Sequence, residues 1–282
     1  MKLSIIVPTY NRPEALHLCL LSLSRQSMLP YDVIVADDGS GDDTRELISR
    51  FKKSGKCLFN LIHVWQEDIG FRKPRIINEA VRNCDGEYLI FIDGDCMAHR
   101  DFVRAHIEYS EPLAILGGKR AELGEKITKD VIENVNLITS LNFKFLWDSI
   151  INDSRKCEEA FQIKSGFLRK ALKRDRITDD GIWGCNFSLY KNIFYKINGC
   201  DEDFLDGSLE DNDLGIRVLN LGGQVKSVRA LAIIFHIWHK TSWSFESKKY
   251  LNNKKIIERR IALKEYRCAN GINKLDPDEP LS

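Results

Sequence analysis

The chain has 282 residues, 43% of them hydrophobic, and a formal charge of +1. That is enough for one large α/β domain with an appendage, and it lacks the basic excess of a nucleic-acid binder. The eight cysteines are widely spaced with no C-x-x-C, which argues against a disulfide framework and for reduced thiols in a cytoplasmic protein. No apolar run approaches the roughly 20 residues that span a bilayer, and a strand pattern at Leu3 replaces the apolar stretch of a signal peptide.

Short apolar runs at residues 3–7, 32–36, 59–64 and 88–92 alternate with helical patterns. Runs that are apolar throughout predict strands covered on both faces. The first helix puts Leu16, Leu20 and Leu23 on one face, with Asn11 as N-cap, Pro13 in the first turn and Glu14 after it. Leu47, Ile48 and Phe51 form the stripe of the second helix, and Ile77, Ala80 and Val81 that of the third, after Pro74. This order predicts an α/β fold with a mostly parallel sheet whose ligands bind at the carboxyl ends of the strands. Those ends carry Pro8-Thr9-Tyr10, Asp37-Asp38-Gly39-Ser40 and Asp93-Gly94-Asp95.

Residues 118–180 are charged and mixed in pattern, with helix-like pieces near 131–150 and 158–172 that are expected to cover an acceptor site. A helix is expected over 210–221, stopped by Gly222-Gly223. A strand-like run at 225–237 ends in His236-Ile237-Trp238-His239. Residues 246–266 read as a basic helix, with eight Lys/Arg between 248 and 267 against Glu258 and Glu265. It either packs on the domain through Leu251, Ile257, Ile261 and Tyr266 or meets an anionic membrane surface. The domain proper is placed at 1–245 and the helix and tail at 246–282.

Asp93 and Asp95 end a buried strand, where period-2 alternation would put both carboxylates on one side. Hard oxygen ligands suit Mg²⁺ or Mn²⁺, and a lone D-x-D also reads as a surface turn. His236 and His239 follow an apolar strand; imidazole favours Mn²⁺ over Mg²⁺, and the alternative is a half-buried pair bonded to backbone. Glu210-Asp211 opens a helix, as a candidate base or as helix-start carboxylates. Asp38 can accept hydrogen bonds from a base or ribose, and Asp37-Asp38-Gly39-Ser40 is also a good turn. Arg72, Lys73 and Arg75 can meet phosphate or form a solvated face. Trp183, Trp238 and Trp243 can floor a sugar site or belong to the core.

With these residues assembled, the chain resembles the family 2 glycosyltransferases of GT-A fold, in their galactosyltransferase-type, chondroitin-polymerase-like subgroup. The likeness is carried by residues 4–12 (Ser-Ile-Ile-Val-Pro-Thr-Tyr-Asn-Arg), 35–40 (Val-Ala-Asp-Asp-Gly-Ser), 91–95 (Phe-Ile-Asp-Gly-Asp) and 199–204 (Gly-Cys-Asp-Glu-Asp-Phe), and by Glu210-Asp211-Asn212-Asp213 and His236-x-x-His239. The resemblance implies an inverting, metal-dependent transfer of a hexose or N-acetylhexosamine from a UDP-sugar. The implied acceptor is a saccharide or lipid-linked saccharide at the inner face of a membrane, in surface polysaccharide synthesis. It implies that Pro8, Tyr10, Arg12, Asp38, Arg75, Asp93, Gly94, Asp95, Trp183 and Gly184 line the donor site. It implies further that Asp95, His239, His236 and Asp93 hold Mn²⁺ or Mg²⁺. Asp211 is the implied base, and Glu210 holds a sugar hydroxyl. One departure is that Gly207-Ser208-Leu209 stands where the subgroup often has Trp-Gly before the Glu-Asp pair. A nucleotidyltransferase and a non-catalytic sugar-binding scaffold remain as alternatives. The first would need a Gly-rich phosphate loop with a Lys, which residues 8–12 do not supply; the second fits poorly with Asp95 and Asp211 both present.

Overall fold

The alternation in the first half builds a parallel sheet. The elements are β1 (Leu3–Thr9), α1 (Pro13–Leu23), β2 (Asp32–Asp37), α2 (Asp42–Lys53), β3 (Asn60–Trp65), α3 (Lys73–Arg82) and β4 (Tyr88–Phe91). Every residue of β1, β2 and β4 is buried, because helices cover both faces. Ile5, Val7 and Ile90 pack with Leu16, Leu20 and Phe51 on one side. Ile6, Leu89 and Phe91 pack with Ile76, Ala80 and Val81 on the other. The protein is described by a computed structural model over residues 1–140, 154–177, 181–205, 207–240, 248–276 and 278–282.

The second half adds β5 (Cys96–Ala98), α4 (Phe102–Glu108), β6 (Ala114–Gly117), β7 (Ala121–Glu122), α5 (Glu125–Glu133) and α6 (Gly166–Ala171). It continues with β8 (Phe187–Tyr190), α7 (Lys191–Lys196), α8 (Glu210–Asn220), β9 (Gln224–Ser227), β10 (Ile234–His236) and α9 (Lys248–Leu263). The main sheet has the order β3-β2-β1-β4-β8-β6-β9. Only β8 runs against its neighbours, so the sheet is mixed and mostly parallel. A small sheet, β5-β10-β7, lies beside it.

Several sequence expectations change. Asn11 does not cap α1; Arg12 holds that position, and the Asn11 side-chain oxygen accepts instead from the Gly41 N–H at 3.0 Å. The apolar run at 225–237 is two strands, β9 and β10, in different sheets. Within residues 118–180 the structure holds β7, α5, α6 and two 3₁₀ turns at Val135–Ser140 and Cys157–Ala160. The second half of the 131–150 piece, and Trp243, lie outside the described residues. Of the two readings of the C-terminal helix, packing through its apolar residues holds only in part: Ile257 and Tyr266 are half-buried. Leu251 and Ile261 are exposed, whereas Asn253 and Arg260 are buried. The Arg260 guanidinium pairs with Asp201 and Asp213, and Asp213 also takes Arg217 at 2.7 Å. α9 is therefore locked to α8 by a buried charge network, whose loss on one side would leave an uncompensated ion.

A second buried polar chain supports the loop before β8. Asn186 gives its amide N–H groups to the carbonyls of Lys119 and Ala232 at 2.8 and 2.9 Å. Its oxygen must therefore accept from His106 Nε2–H, 3.1 Å away. His106 Nδ1 then accepts from the Ser188 hydroxyl at 2.7 Å, and Ser188 accepts from Tyr88 O–H at 2.7 Å. Burial holds the His106 imidazole down to about 3. Because that lies below the unfolded value, the stabilisation is complete above pH 6.5 and is lost as pH falls toward 3. The gap is worth at most about 5 kcal/mol. Urea unfolding at pH 7.5 and 5.0 is expected to show wild type losing roughly 2 kcal/mol more than His106→Gln; equal losses would remove this chain from the acid response.

Candidate active site

The site forms because three loops converge at the carboxyl ends of β1, β2 and β4. The Asp38 N–H bonds to the Thr9 carbonyl at 3.0 Å and the Gly94 N–H to that of Pro8 at 2.9 Å. Together they shape a cavity of about 370 Å³ lined by Pro8, Tyr10, Arg12, Asp38, Asp68, Phe71, Lys73, Asp93, Gly94 and Asp95. Tyr10 donates its hydroxyl to Asp68 at 2.8 Å. The two adjacent aspartates at the end of β2 divide their work. Asp37 accepts from the Ser40 N–H and sits 2.8 Å from His63 Nε2, so it is structural. Asp38 faces the cavity and accepts from Gln66 Nε2 at 2.5 Å and the Arg72 N–H at 2.9 Å. Burial raises its carboxyl above the ordinary aspartate range.

The alternation argument for Asp93 and Asp95 does not hold. β4 ends at Phe91, and the Cys96 N–H closes a turn on the Asp93 carbonyl at 2.9 Å. The two carboxylates line one cavity but take different partners. Asp93 accepts from Lys73 Nζ at 3.0 Å. Asp95 meets the histidines, because β10 runs antiparallel to β5 with His236 opposite Cys96 and the Ile237 N–H bonded to the Asp95 carbonyl at 3.0 Å. Asp95 Oδ2 lies 3.4 Å from His236 Nε2 and 3.2 Å from His239 Nε2. Burial pushes the Asp95 carboxyl up, but the two imidazoles outweigh it and hold it well below the usual range. Arg12 approaches the same oxygen at 3.9 Å.

These ligand atoms all lie within 4.8 Å of one another. His239 Nδ1 is directed at the Lys240 carbonyl at 3.0 Å, so a proton held there would free Nε2 as a lone-pair donor once a cation replaces the proton shared with Asp95. The two Nε2 atoms are 3.2 Å apart. A single proton can join only one pair among these three atoms, whereas one divalent cation satisfies them all. The donor set therefore fits such a cation, and one oxygen with two imidazoles favours Mn²⁺ over Mg²⁺.

The opposite rim comes from β8 and α8. β8 runs antiparallel to β4, with Phe187 opposite Phe91 and their rings stacked at 4.2 Å. The segment entering β8 therefore passes the loop leaving β4. There the Gly184 N–H donates to Asp211 Oδ2 at 2.5 Å, and Asp211 Oδ1 accepts from the Asn212 N–H at 2.9 Å. A side chain at Gly184 would begin 3.2 Å from Asp211 Oδ2 and 3.5 Å from Lys73 Nζ, so glycine keeps that approach open. Lys73 Nζ stands between Asp93 and Glu210, 3.9 Å from the latter. Glu210 Oε2 is buried without a partner. Burial and then the neighbouring Asp211 raise the Glu210 carboxyl to about 8. Burial also raises Asp211, against the opposing pull of Lys73 and the Gly184 and Asn212 N–H groups. For Lys73, burial pulls the ammonium down, but Asp93 and Glu210 prevail and it stays charged.

A profile described as glycosyl transferase family 2 matches residues 4–174, and one described as the N-terminal domain of galactosyltransferase matches residues 172–240. The chain belongs to glycosyl transferase family 2. The uncharacterized glycosyltransferase YfnE of Bacillus subtilis is 32% identical over 252 residues, covering 79% of this chain and 61% of that protein. Chondroitin synthase of Escherichia coli is 26% identical over 248 residues, covering 83% of this chain and 34% of the synthase. The chain thus spans between about a third and three-fifths of the length of these two relatives. In fold, this family 2 glycosyltransferase matches GalNAc-T7 with UDP, GalNAc and Mn²⁺ at a TM-score of 0.62, with 12% identity and coverage of 91% and 48%. It matches S. aureus TarS 1–349 in complex with UDP-GlcNAc at 0.59, with 15% identity and coverage of 94% and 69%. The GT-A fold follows from these likenesses.

Of the residues singled out from sequence, the structure gathers Pro8, Tyr10, Arg12, Asp38, Asp93, Gly94 and Asp95 on the cavity wall. Gly184, Glu210 and Asp211 lie beside Lys73, and His236 and His239 beside Asp95. Two are set apart. Arg75 is exposed on α3 and does not line the cavity, because residues two apart on a helix point in nearly opposite directions; Lys73 holds the inward place. Trp183 is packed between Lys119 and Lys156, whose Nζ atoms lie 3.8 and 4.2 Å from its ring centre. Asp68 and Phe71 were not legible from the sequence, since neither belongs to a motif. The Gly-Cys-Asp-Glu-Asp-Phe block is scaffold. Asn78 of α3 donates to the Cys200 carbonyl and to Glu202 and accepts from the Cys200 N–H, which fixes the chain that leads to α8.

Proposed function

We propose that this family 2 glycosyltransferase transfers a hexose or N-acetylhexosamine from a UDP-sugar to a saccharide hydroxyl with inversion. The observation that carries the reading is the facing of two rims. Asp95, His236 and His239 stand on one, and Asp211 and Glu210 on the other, with Lys73 and Asp93 between them. Tyr10 and Phe71 offer aromatic walls for the base, and Asp38 and Asp68 offer acceptors for its N–H or for ribose hydroxyls. Asp95, His236 and His239 would hold a divalent cation, which neutralises charge on the departing diphosphate when bound. Asp211 accepts the proton of the acceptor hydroxyl as its oxygen bonds to the anomeric carbon and the bond to diphosphate breaks. Glu210, whose carboxyl burial and Asp211 raise, donates its proton in a hydrogen bond to a sugar hydroxyl. The names of the relatives chondroitin synthase and hyaluronan synthase favour a saccharide acceptor; that it is lipid-linked at the inner face of a membrane is part of the same proposal.

The reading is tested by thermal unfolding with Mn²⁺ and a panel of UDP, UDP-Gal, UDP-GalNAc, UDP-Glc, GDP-Man and ADP. UDP and its preferred sugar are expected to stabilise the protein, by about 2.7 kcal/mol at hundredfold saturation, with little effect from GDP-Man or ADP. Equal stabilisation by the guanine and adenine nucleotides, or none by any, would remove the UDP assignment.

A further inference from the structure

Phe167 is 80% exposed, the most exposed large hydrophobic side chain among the described residues, and Leu168 and Leu172 beside it are 49% and 55% exposed. All three belong to α6 and the residue that follows it. They are held out by a firm attachment. Arg169, between them, is buried; its guanidinium donates to the Ser227 carbonyl at 2.7 Å and the Arg229 carbonyl at 3.3 Å and covers the Tyr109 ring. Ser165 caps the N-terminus of α6 by accepting from the Leu168 N–H at 3.3 Å. The turn is thus pinned to the carboxyl end of β9, at the same end of the sheet as the cleft and three strand spacings, roughly 14 Å, from β4.

Charge says what the surface fits. Lys164, Lys170, Lys173 and Arg176 are exposed around the apolar points, against the single exposed carboxylate of Asp175 between residues 164 and 176. The neighbouring cavity wall adds Glu108 and Glu111, the latter paired with Lys226, so cations still outnumber carboxylates around the apolar tip, which matches an anionic lipid surface. α9 repeats the chemistry, exposing Leu251, Ile261 and Leu263 beside Lys248, Lys249, Lys254 and Lys255. Arg169 and Arg176 line one cavity of about 910 Å³ together with Ile257 and Ile261 of α9, so the two basic elements border a common groove. No helix among the described residues is long and apolar enough to cross a membrane.

We propose that α6 is an interfacial anchor: Phe167, Leu168 and Leu172 enter the boundary between headgroups and acyl chains of an anionic bilayer, and the surrounding Lys and Arg side chains meet lipid phosphates. The anchor would hold the cleft near an acceptor displayed on that surface, but it does not depend on which sugar is transferred.

Cosedimentation of the full chain with vesicles of phosphatidylcholine, alone or mixed with phosphatidylglycerol, tests this without any sugar donor. Wild type is expected to pellet with the mixed vesicles, and less so as salt rises. Phe167→Ser should weaken partition roughly tenfold, as for one buried aromatic, and Lys170→Gln with Lys173→Gln should remove most of the preference for anionic lipid. Phe167→Trp, a milder change, should show a blue-shifted emission only with mixed vesicles. Both variants at 167 should melt as wild type does, since that side chain is 80% exposed. Wild type that ignores mixed vesicles at low salt, or Phe167→Ser that binds them as well as wild type, overturns the proposal. So does a vesicle-free dimer that Phe167→Ser dissociates, since the occupant would then be a second copy.

Discussion

Asp211→Asn is expected to lower kcat by about 10²–10⁴, the usual worth of a general base, while UDP binding is retained. Asparagine keeps an oxygen for the Gly184 N–H, 2.5 Å from Asp211 Oδ2 in the wild type, so the loop before β8 stays in place and only the proton acceptor is lost. The neighbouring carboxyl cannot substitute. Glu210 is raised by burial and by Asp211, so of the two it is the carboxyl disposed to hold a proton. Two environments that push adjacent acids apart assign their roles. Asp211 has two backbone N–H donors and is the one kept as the anion. The pH profile supplies a second readout. Lys73 pulls both carboxyls down, so Lys73→Met should move the acidic limb of the rate profile to higher pH. Single-turnover rates with saturating donor measure both effects; an Asp211→Asn enzyme at full rate would exclude this carboxylate as the base.

Most of the site was legible because its residues lie at predictable places. A buried parallel strand must end somewhere, and its carboxyl end is where polar residues collect, so the apolar run at 88–92 pointed to Asp93 and Asp95 directly. What the sequence could not show was how partners are shared. Asp93 and Asp95 look equivalent in a D-x-D, yet the turn closed by Cys96 sends one to Lys73 and the other to two histidines 141 and 144 positions later in the chain. Arg75 and Lys73 look interchangeable until the helix phase of α3 separates them. The C-terminal helix shows the opposite limit. Its apolar residues left a packed face and a membrane-facing one both open, and it is a buried Arg260 on Asp201 and Asp213 that fixes it, a choice that depends on acidic residues far off in sequence. The small sheet was missed because two- and three-residue strands carry no periodicity.

Metal binding should separate the two aspartates of the D-x-D. In nucleotide-free protein, Asp95→Ala is expected to weaken Mn²⁺ binding by more than the ~10–100-fold that follows loss of a group merely supporting a ligand. Asp93→Ala should leave Mn²⁺ binding within a few-fold of wild type, because Asp93 lies on the Lys73 ammonium at 3.0 Å and outside the cluster of Asp95, His236 and His239. Removing Asp95 takes away the one formal charge in that donor set, and the imidazoles left behind are neutral ligands. His239→Ala should fall between the two variants, since the Lys240 carbonyl orients Nε2 toward Asp95 and that preorganisation is lost with the ring. Calorimetric titration of apo protein, or the free Mn²⁺ signal by electron paramagnetic resonance, reads binding without any turnover. If Asp93→Ala and Asp95→Ala weaken binding equally, the cation is held by both carboxylates and the division of labour inferred from Lys73 fails. If neither matters, the three converging ligand atoms are a hydrogen-bonded cluster rather than a metal centre, and the diphosphate must be neutralised by Arg12 and Lys73 instead.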